Sequence, residues 1–188
     1  MADPSPADQV TSRARAEHRT TVTIVAIDGP AGSGKTTLAT VVADRLDQAP
    51  LIHMDDLFPG WDGLAAAPAL LVAQVLAPIH RGEQPGYRRF DWLADQYAEH
   101  VALRGHEYLV VEGCASSVGI ARPYATVRVW LDAHRDERMR RGLERDGEMF
   151  APHWERWAAQ ERAIYAQDQT EQHAHLTFRT DGPEASST

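Results

Sequence analysis

A single cysteine, Cys114, stands in 188 residues. No disulfide can therefore close within the chain, and a reducing compartment is the expectation. Long apolar runs are missing as well. No stretch approaches the roughly 20 apolar residues that a membrane span requires, and the first residues lack the apolar core of a secretory leader. Positive charge is scarce, with 19 Lys and Arg against 27 Asp and Glu, for a formal net charge of −8. Neutralising a nucleic-acid backbone takes a broad basic surface, so that balance argues against such a partner. It leaves room for a small anion held in a local positive pocket. These absences predict a cytoplasmic protein with neither membrane nor nucleic acid as partner. What is present, 188 residues of which 43% are hydrophobic, suits one α/β domain able to bury its own core.

Residues 1–19 are rich in Ala, Asp, Pro, Ser and Arg and carry almost no large apolar side chains. They read as a disordered lead-in, and residues 181–188 read as a flexible tail, leaving a domain over 20–180. Inside it, β-branched or apolar runs predict strands over 21–27, 50–54, 108–111, 126–131 and 176–179. Helices are predicted over 36–46, 68–80, 93–104, 136–145 and 153–167. Strands alternating with helices imply a three-layer α/β sandwich, a mainly parallel five-stranded sheet covered on both faces. Ligands of such sheets sit beyond the carboxyl ends of the strands.

The strongest local pattern follows the first strand. Gly29-Pro30-Ala31-Gly32-Ser33-Gly34-Lys35-Thr36 fits G-x-x-x-x-G-K-[ST] without a mismatch, and Thr37 continues into the predicted helix. Glycines let backbone N–H groups close around phosphate oxygens, and the helix directs its positive end at the same anion. Lys35 is placed to reach the β- and γ-phosphates, and the Thr36 hydroxyl to ligate Mg²⁺. The implied ligands are ATP and Mg²⁺.

Acidic residues close the next two strands. Asp55-Asp56 follow Leu51-Ile52-His53-Met54, and strand alternation lets only one of the pair face the phosphate site. Asp55 is favoured, to take a proton from an acceptor hydroxyl or to stand near the metal. Glu112 ends Tyr108-Leu109-Val110-Val111, the Walker B arrangement of a metal-side carboxylate. Arg138, Arg141 and Arg145 share one face of a predicted helix and can stabilise charge on a transferring phosphoryl group. Trp154 and Trp157 are expected to pack against the sheet.

With these residues on the page, the chain resembles the uridine kinase branch of the P-loop nucleoside and nucleotide kinases, from about residue 22 to 180. Four patterns carry the resemblance: GPAGSGKTT, HMDDLF, VVEG and VRVWLDAHRDERMRRGLERDG. It implies a P-loop NTPase fold and transfer of the γ-phosphoryl group of ATP to a small-molecule hydroxyl, with a uridine- or cytidine-like nucleoside as the family's acceptor. It implies that Asp55 acts on that hydroxyl with Phe58 beside it, that Glu112 serves the metal, and that Arg141 and Arg145 contact phosphate. Pro85-Gly86-Tyr87-Arg88-Arg89-Phe90-Asp91-Trp92 is similar to the family's acceptor segment, which puts Phe90, Asp91 and Trp92 at the acceptor. Arg88 and Arg89 are additions to that pattern, and under a nucleoside-monophosphate kinase reading they hold the acceptor's phosphate. Arg179 falls where the family's adenine loop passes. A P-loop switch, hydrolysing nucleotide to drive a partner, is the alternative from a different class; a residue at Asp55 that faces an acceptor rather than a water distinguishes the two.

Overall fold

The computed structural model describes residues 3–19 and 21–181. Five strands form one sheet: β1 (Thr23–Asp28), β2 (Leu51–His53), β5 (Tyr108–Glu112), β6 (Val127–Asp132) and β7 (Leu176–Arg179). Their order is β2-β5-β1-β6-β7, and every neighbouring pair is parallel. Each residue of β1 and of β5 is buried, as a sheet covered on both faces demands. Alternation divides their side chains between two cores. Val25, Ile27 and Val110 pack under α1 (Pro6–Glu17) and α2 (Lys35–Arg45). Ile24, Leu109 and Val111 face Ile52, Phe58, Leu71 and Trp157 on the other side. There α3 (Ala67–Leu71) passes through a π-helical stretch (Val72–Leu76) into α4 (Ala77–His80). The helices α5 (Arg135–Asp146) and α6 (Trp154–Asp168) complete the fold. Among the described residues, no helix is long and apolar enough to cross a membrane.

Three expectations are corrected. The segment 1–19, read as disordered, contains α1. Ser5 caps it by accepting from the Asp8 N–H at 3.2 Å, and the Asp8 carboxylate accepts from the Ser5 N–H at 3.1 Å in return. Its buried stripe is Ala7, Val10, Thr11 and Ala14, spaced for one helix face but built of small residues, so bulk hydrophobicity conceals it. Of the tail placed at 181–188, Asp181 is ordered by the His134 N–H and the Arg179 guanidinium; residues 182–188 lie outside the described residues.

The second correction concerns 93–104, expected as a helix. It contains instead β4 (Gln96–Ala102), antiparallel to β3 (Gly86–Asp91) in a separate two-stranded sheet. The Asp91 carboxylate accepts from the N–H groups of Leu93 and Ala94, both at 3.0 Å, and Asp95 takes a φ of 50°, which turns the chain back. Leu93, Tyr97 and Val101 recur every four residues, a spacing that suits one face of a helix and one face of a strand equally. The third concerns the strand expected over 50–54. It stops at His53, and a 3₁₀ turn (Met54–Asp56) follows, so strand alternation no longer decides between Asp55 and Asp56.

Candidate active site

The loop after β1 is closed to side chains. Gly29 and Gly32 have φ values of 137° and 77°. A Cβ at Gly29 would lie 2.0 Å from the Leu131 carbonyl oxygen, and one at Gly32 would lie 2.2 Å from that of Arg138. Gly34 caps α2 with no side chain closing the helix N-terminus, and the buried Ser33 Oγ has no hydrogen-bond partner among the described residues. A bare helix start and an unsatisfied hydroxyl in a glycine-walled loop fit a phosphate chain.

Lys35 is buried at the start of α2, where its ammonium donates to the Pro30 carbonyl at 2.8 Å. Burial disfavours its charge, but the surrounding acidic groups outweigh that cost and hold its pKa above the ordinary lysine value. Cys114 lies 3.9 Å away, yet burial pushes its thiol well above the usual range, so the neighbouring Glu112 and Glu161 carboxylates balance the ammonium. Thr36 Oγ1 donates to Glu112 Oε1 at 3.1 Å, and His53 Nδ1 meets the same oxygen at 2.6 Å. Glu112 is buried, which opposes its ionisation; the His53 hydrogen bond, the Lys35 charge and the Thr36 hydroxyl nonetheless hold its carboxyl below the usual range. Among the described residues no group of three His, Cys, Asp or Glu side chains is placed to hold a metal. The hydroxyl–carboxylate pair of Thr36 and Glu112 suits Mg²⁺, which keeps water and takes phosphate oxygens for its remaining positions.

A cleft of about 600 Å³ opens above the carboxyl ends of the strands. Ala31, Gly32, Gly34, Lys35, Thr36 and Thr37 line one end. Glu112 and Asp55 line it too, so the structure brings both sequence-predicted carboxylates to the phosphate loop. Asp56 turns to the Tyr87 hydroxyl, accepting from it at 2.8 Å. Arg141 and Arg145 of α5 also line the cleft. Arg141 is oriented by Glu137, at 2.7 Å, and donates to Thr180 Oγ1 and carbonyl at 2.8 and 3.0 Å. Thr180 in turn donates to the Ser33 carbonyl at 2.9 Å, tying the β7 end to the loop.

The other end of the cleft is aromatic. Phe58, Trp61, Trp92, Phe150 and Trp157 line it. Trp61 is central, with ring centroids 4.7 Å from Trp92 and 5.7 Å from Phe150, and His153 stacks on it at 4.3 Å. Of the acceptor residues implied by resemblance, Phe58 and Trp92 reach the cleft. Phe90 packs behind it, edge-on to Trp92 and Tyr97; Asp91 caps the hairpin turn; Arg89 pairs with Glu99 at 2.7 Å. Arg179 pairs with Asp181 and does not line the cleft.

Two buried carboxylates escape the sequence reading. Glu161 of α6 accepts from the Ala31 N–H at 2.7 Å and from Trp157 Nε1 at 2.8 Å, joining the phosphate loop to the aromatic wall. Asp28, at the end of β1, accepts from the N–H groups of Gly29, Ala115 and Ser117 and from the Tyr165 hydroxyl. Asp28 directly precedes the glycine loop, which is a signal; Glu161 sits in an ordinary polar helix sequence, and nothing local marks it. Trp154 is core, as expected, whereas Trp157 both packs and lines the cleft.

Comparison with known proteins agrees with this geometry. No family model matches the sequence. The chain is 35% identical over 127 residues to the cytidylate kinase of Pyrobaculum calidifontis, covering 68% of this chain and 62% of that one. It is 33% identical over 123 residues to the cytidylate kinase of Halobacterium salinarum, covering 65% and 58%. The chain thus spans about three fifths of the length of the curated relatives it matches. A solved structure described as a possible uridine kinase from Bacillus stearothermophilus superposes with a TM-score of 0.68 at 18% identity, over 92% of this chain and 96% of that one. In sequence and in fold, the chain belongs to the P-loop nucleoside and nucleotide kinases.

Proposed function

We propose that this protein transfers the γ-phosphoryl group of ATP to a hydroxyl of a small molecule. The observation that carries the reading is the convergence of Lys35, the Thr36–Glu112 pair and Asp55 on one cleft. Thr36 and Glu112 would hold Mg²⁺, which when bound neutralises phosphate charge and orients the phosphates. The glycine loop and the α2 N-terminus receive the phosphates, and Lys35 meets their charge. Arg141 and Arg145 approach from α5, where charge on the transferring group is stabilised. Asp55 orients the acceptor hydroxyl and takes its proton as the new P–O bond forms and the bridging P–O bond of ATP breaks. The aromatic wall shields the reacting groups from water, which limits wasteful hydrolysis.

A nucleoside-monophosphate kinase is the second reading, favoured by the names of the sequence relatives. It requires cations around an acceptor phosphate. Arg89, the candidate for that role, is engaged by Glu99, and Arg88 donates to the Ala98 carbonyl at 2.6 Å. The switch reading lacks such support, because Asp55 stands with an aromatic wall that suits a bound molecule better than a lone water. The test is a screen for ADP release in which nucleosides, nucleotides and other hydroxyl compounds are added singly. Release that depends on a hydroxyl compound supports the proposal; release that requires a monophosphate selects the second reading; release that no acceptor raises above the rate in water rejects both.

A further inference from the structure

Asp55 sits on a weakly supported piece of backbone. The strand that leads to it ends at His53, and Asp55 lies in the 3₁₀ turn Met54–Asp56. There the N–H groups of Leu57 and Phe58 share the Met54 carbonyl, at 2.8 and 3.2 Å. Such turns are short and their hydrogen bonds poorly aligned. A side chain that must meet an acceptor hydroxyl needs a firmer mount, since a displacement of about 1 Å can cost on the order of 10²-fold in rate. The β3–β4 hairpin supplies one. It sends a donor to each of three consecutive residues of this segment. Trp92 Nε1 donates to the Asp55 carbonyl at 2.9 Å, the Tyr87 hydroxyl to the Asp56 carboxylate at 2.8 Å, and the Tyr97 hydroxyl to the Leu57 carbonyl at 3.1 Å.

The hairpin keeps these donors still. A bulge between Arg88 and Phe90 takes up an extra residue, so Tyr87 and Phe90 are both buried while Arg88 between them is exposed. Tyr97 pairs with Phe90 across the strands, and the Phe90 ring stands edge-on to Trp92 and Tyr97 at 5.4 and 5.3 Å. The Arg88 N–H donates to Gln74 Oε1 at 2.9 Å, which ties β3 to the helical layer through the Val72–Leu76 stretch. Asp55 lines the cleft, whereas Tyr87 and Tyr97 do not. Their hydroxyls are directed at the turn and not at the space a bound molecule would fill.

We infer that Tyr87 and Tyr97, together with the Trp92 indole N–H, are positioning residues that hold Asp55 in reach of the acceptor hydroxyl. The task of Asp55 rests on the kinase reading above; the clamp on its turn rests on the hydrogen bonds alone. Tyr87→Phe and Tyr97→Phe, combined in one chain, remove only the two hydroxyls and leave the cleft lining in place. Amide hydrogen exchange of the full chain without ligand reads the clamp. Leu57 and Phe58 are expected to exchange about tenfold faster in the double variant, with β1 and β5 unchanged. Unchanged exchange at Leu57 and Phe58 overturns the proposal. Mass spectrometry of reactions with ATP and either cytidine or cytidine monophosphate reads the chemistry in parallel. With whichever compound is phosphorylated, the double variant is expected to lower kcat about tenfold while KM for that compound and for ATP stays within about twofold. In an Asp55→Asn chain the same two changes are expected to cost less than about twofold more, because hydroxyls that act through Asp55 have no base left to position. An equal loss in both backgrounds, or no loss in the native one, overturns the proposal and leaves the kinase reading standing. Faster exchange at the turn in a chain that phosphorylates neither compound upholds the clamp and rejects both compounds as acceptors. If circular dichroism shows the double variant unfolded, Tyr97→Phe alone carries both measurements, with effects of about threefold.

Discussion

At one end of the cleft, a single short stretch of chain supplies the lining, Ala31, Gly32, Gly34, Lys35, Thr36 and Thr37, around a glycine loop. At the other, Phe58, Trp61, Trp92, Phe150 and Trp157 come from segments spread over about a hundred residues and act only through their side chains. The two ends therefore tolerate change differently. A Cβ at Gly32 runs into the Arg138 backbone, which cannot rotate away, while an indole in the aromatic wall can be exchanged for another apolar group at the cost of altered shape. A fixed donor end and an adjustable acceptor end explain how proteins with one phosphate loop serve different acceptors.

Substitutions can break or sharpen this contrast. Lys35→Ala is expected to have the largest effect, lowering kcat by roughly 10³-fold, the upper range for removing one charge-stabilising group. Circular dichroism should show the fold kept; near-normal turnover in the folded variant would remove the phosphate loop from the chemistry. Asp55→Asn is expected to lower acceptor phosphorylation by roughly 10²-fold with ATP affinity little changed. Single-turnover transfer measured beside ATP binding checks this, and Asp56→Asn, whose native carboxylate engages Tyr87, should lose far less. Arg145→Ala should lower kcat about tenfold and weaken ATP binding less, because its contact strengthens as charge develops. Steady-state kcat and KM for ATP separate those terms. The smallest effect is assigned to Arg89→Ala, within about twofold of the unaltered protein, since exposed ion pairs contribute little. A large rise in acceptor KM for that variant would place Arg89 in the acceptor site and support a phosphorylated acceptor.

The same contrast explains which features were legible in sequence. A glycine loop, a strand and a helix N-terminus are contiguous, so Gly29 to Thr37 could be read directly, and the five-stranded sheet followed from apolar runs at strand length. Glu112 was recognisable because an acid closing an apolar strand breaks the run. The acceptor wall offered no such cue. Trp61 follows Pro59-Gly60 in a stretch without periodicity, and only the turn at Met54–Asp56 and the β3–β4 hairpin bring it to Trp92. The hairpin is hidden in the sequence because Leu93, Tyr97 and Val101 satisfy two periods at once. Helix α1 is hidden because a stripe of small residues, Ala7, Val10, Thr11 and Ala14, buries a face without a strongly apolar run, although Ser5-Pro6-Ala7-Asp8 carries the signature of a helix start.

The contact between Gly32 and Arg138 also bears on motion. The Arg138 guanidinium donates to the Ala133 and Ala31 carbonyls at 3.1 and 3.3 Å, and its backbone fills the space a side chain at Gly32 would need. The first turn of α5 is thus a doorpost set into the phosphate loop, and it cannot swing without carrying the loop along. Any leaf that closes on a nucleotide must hang beyond residue 138, in the stretch that carries Arg141 and Arg145. A hinge for such a leaf would lie inside a helix, so that closing would tilt or unwind a helical turn instead of bending a loop.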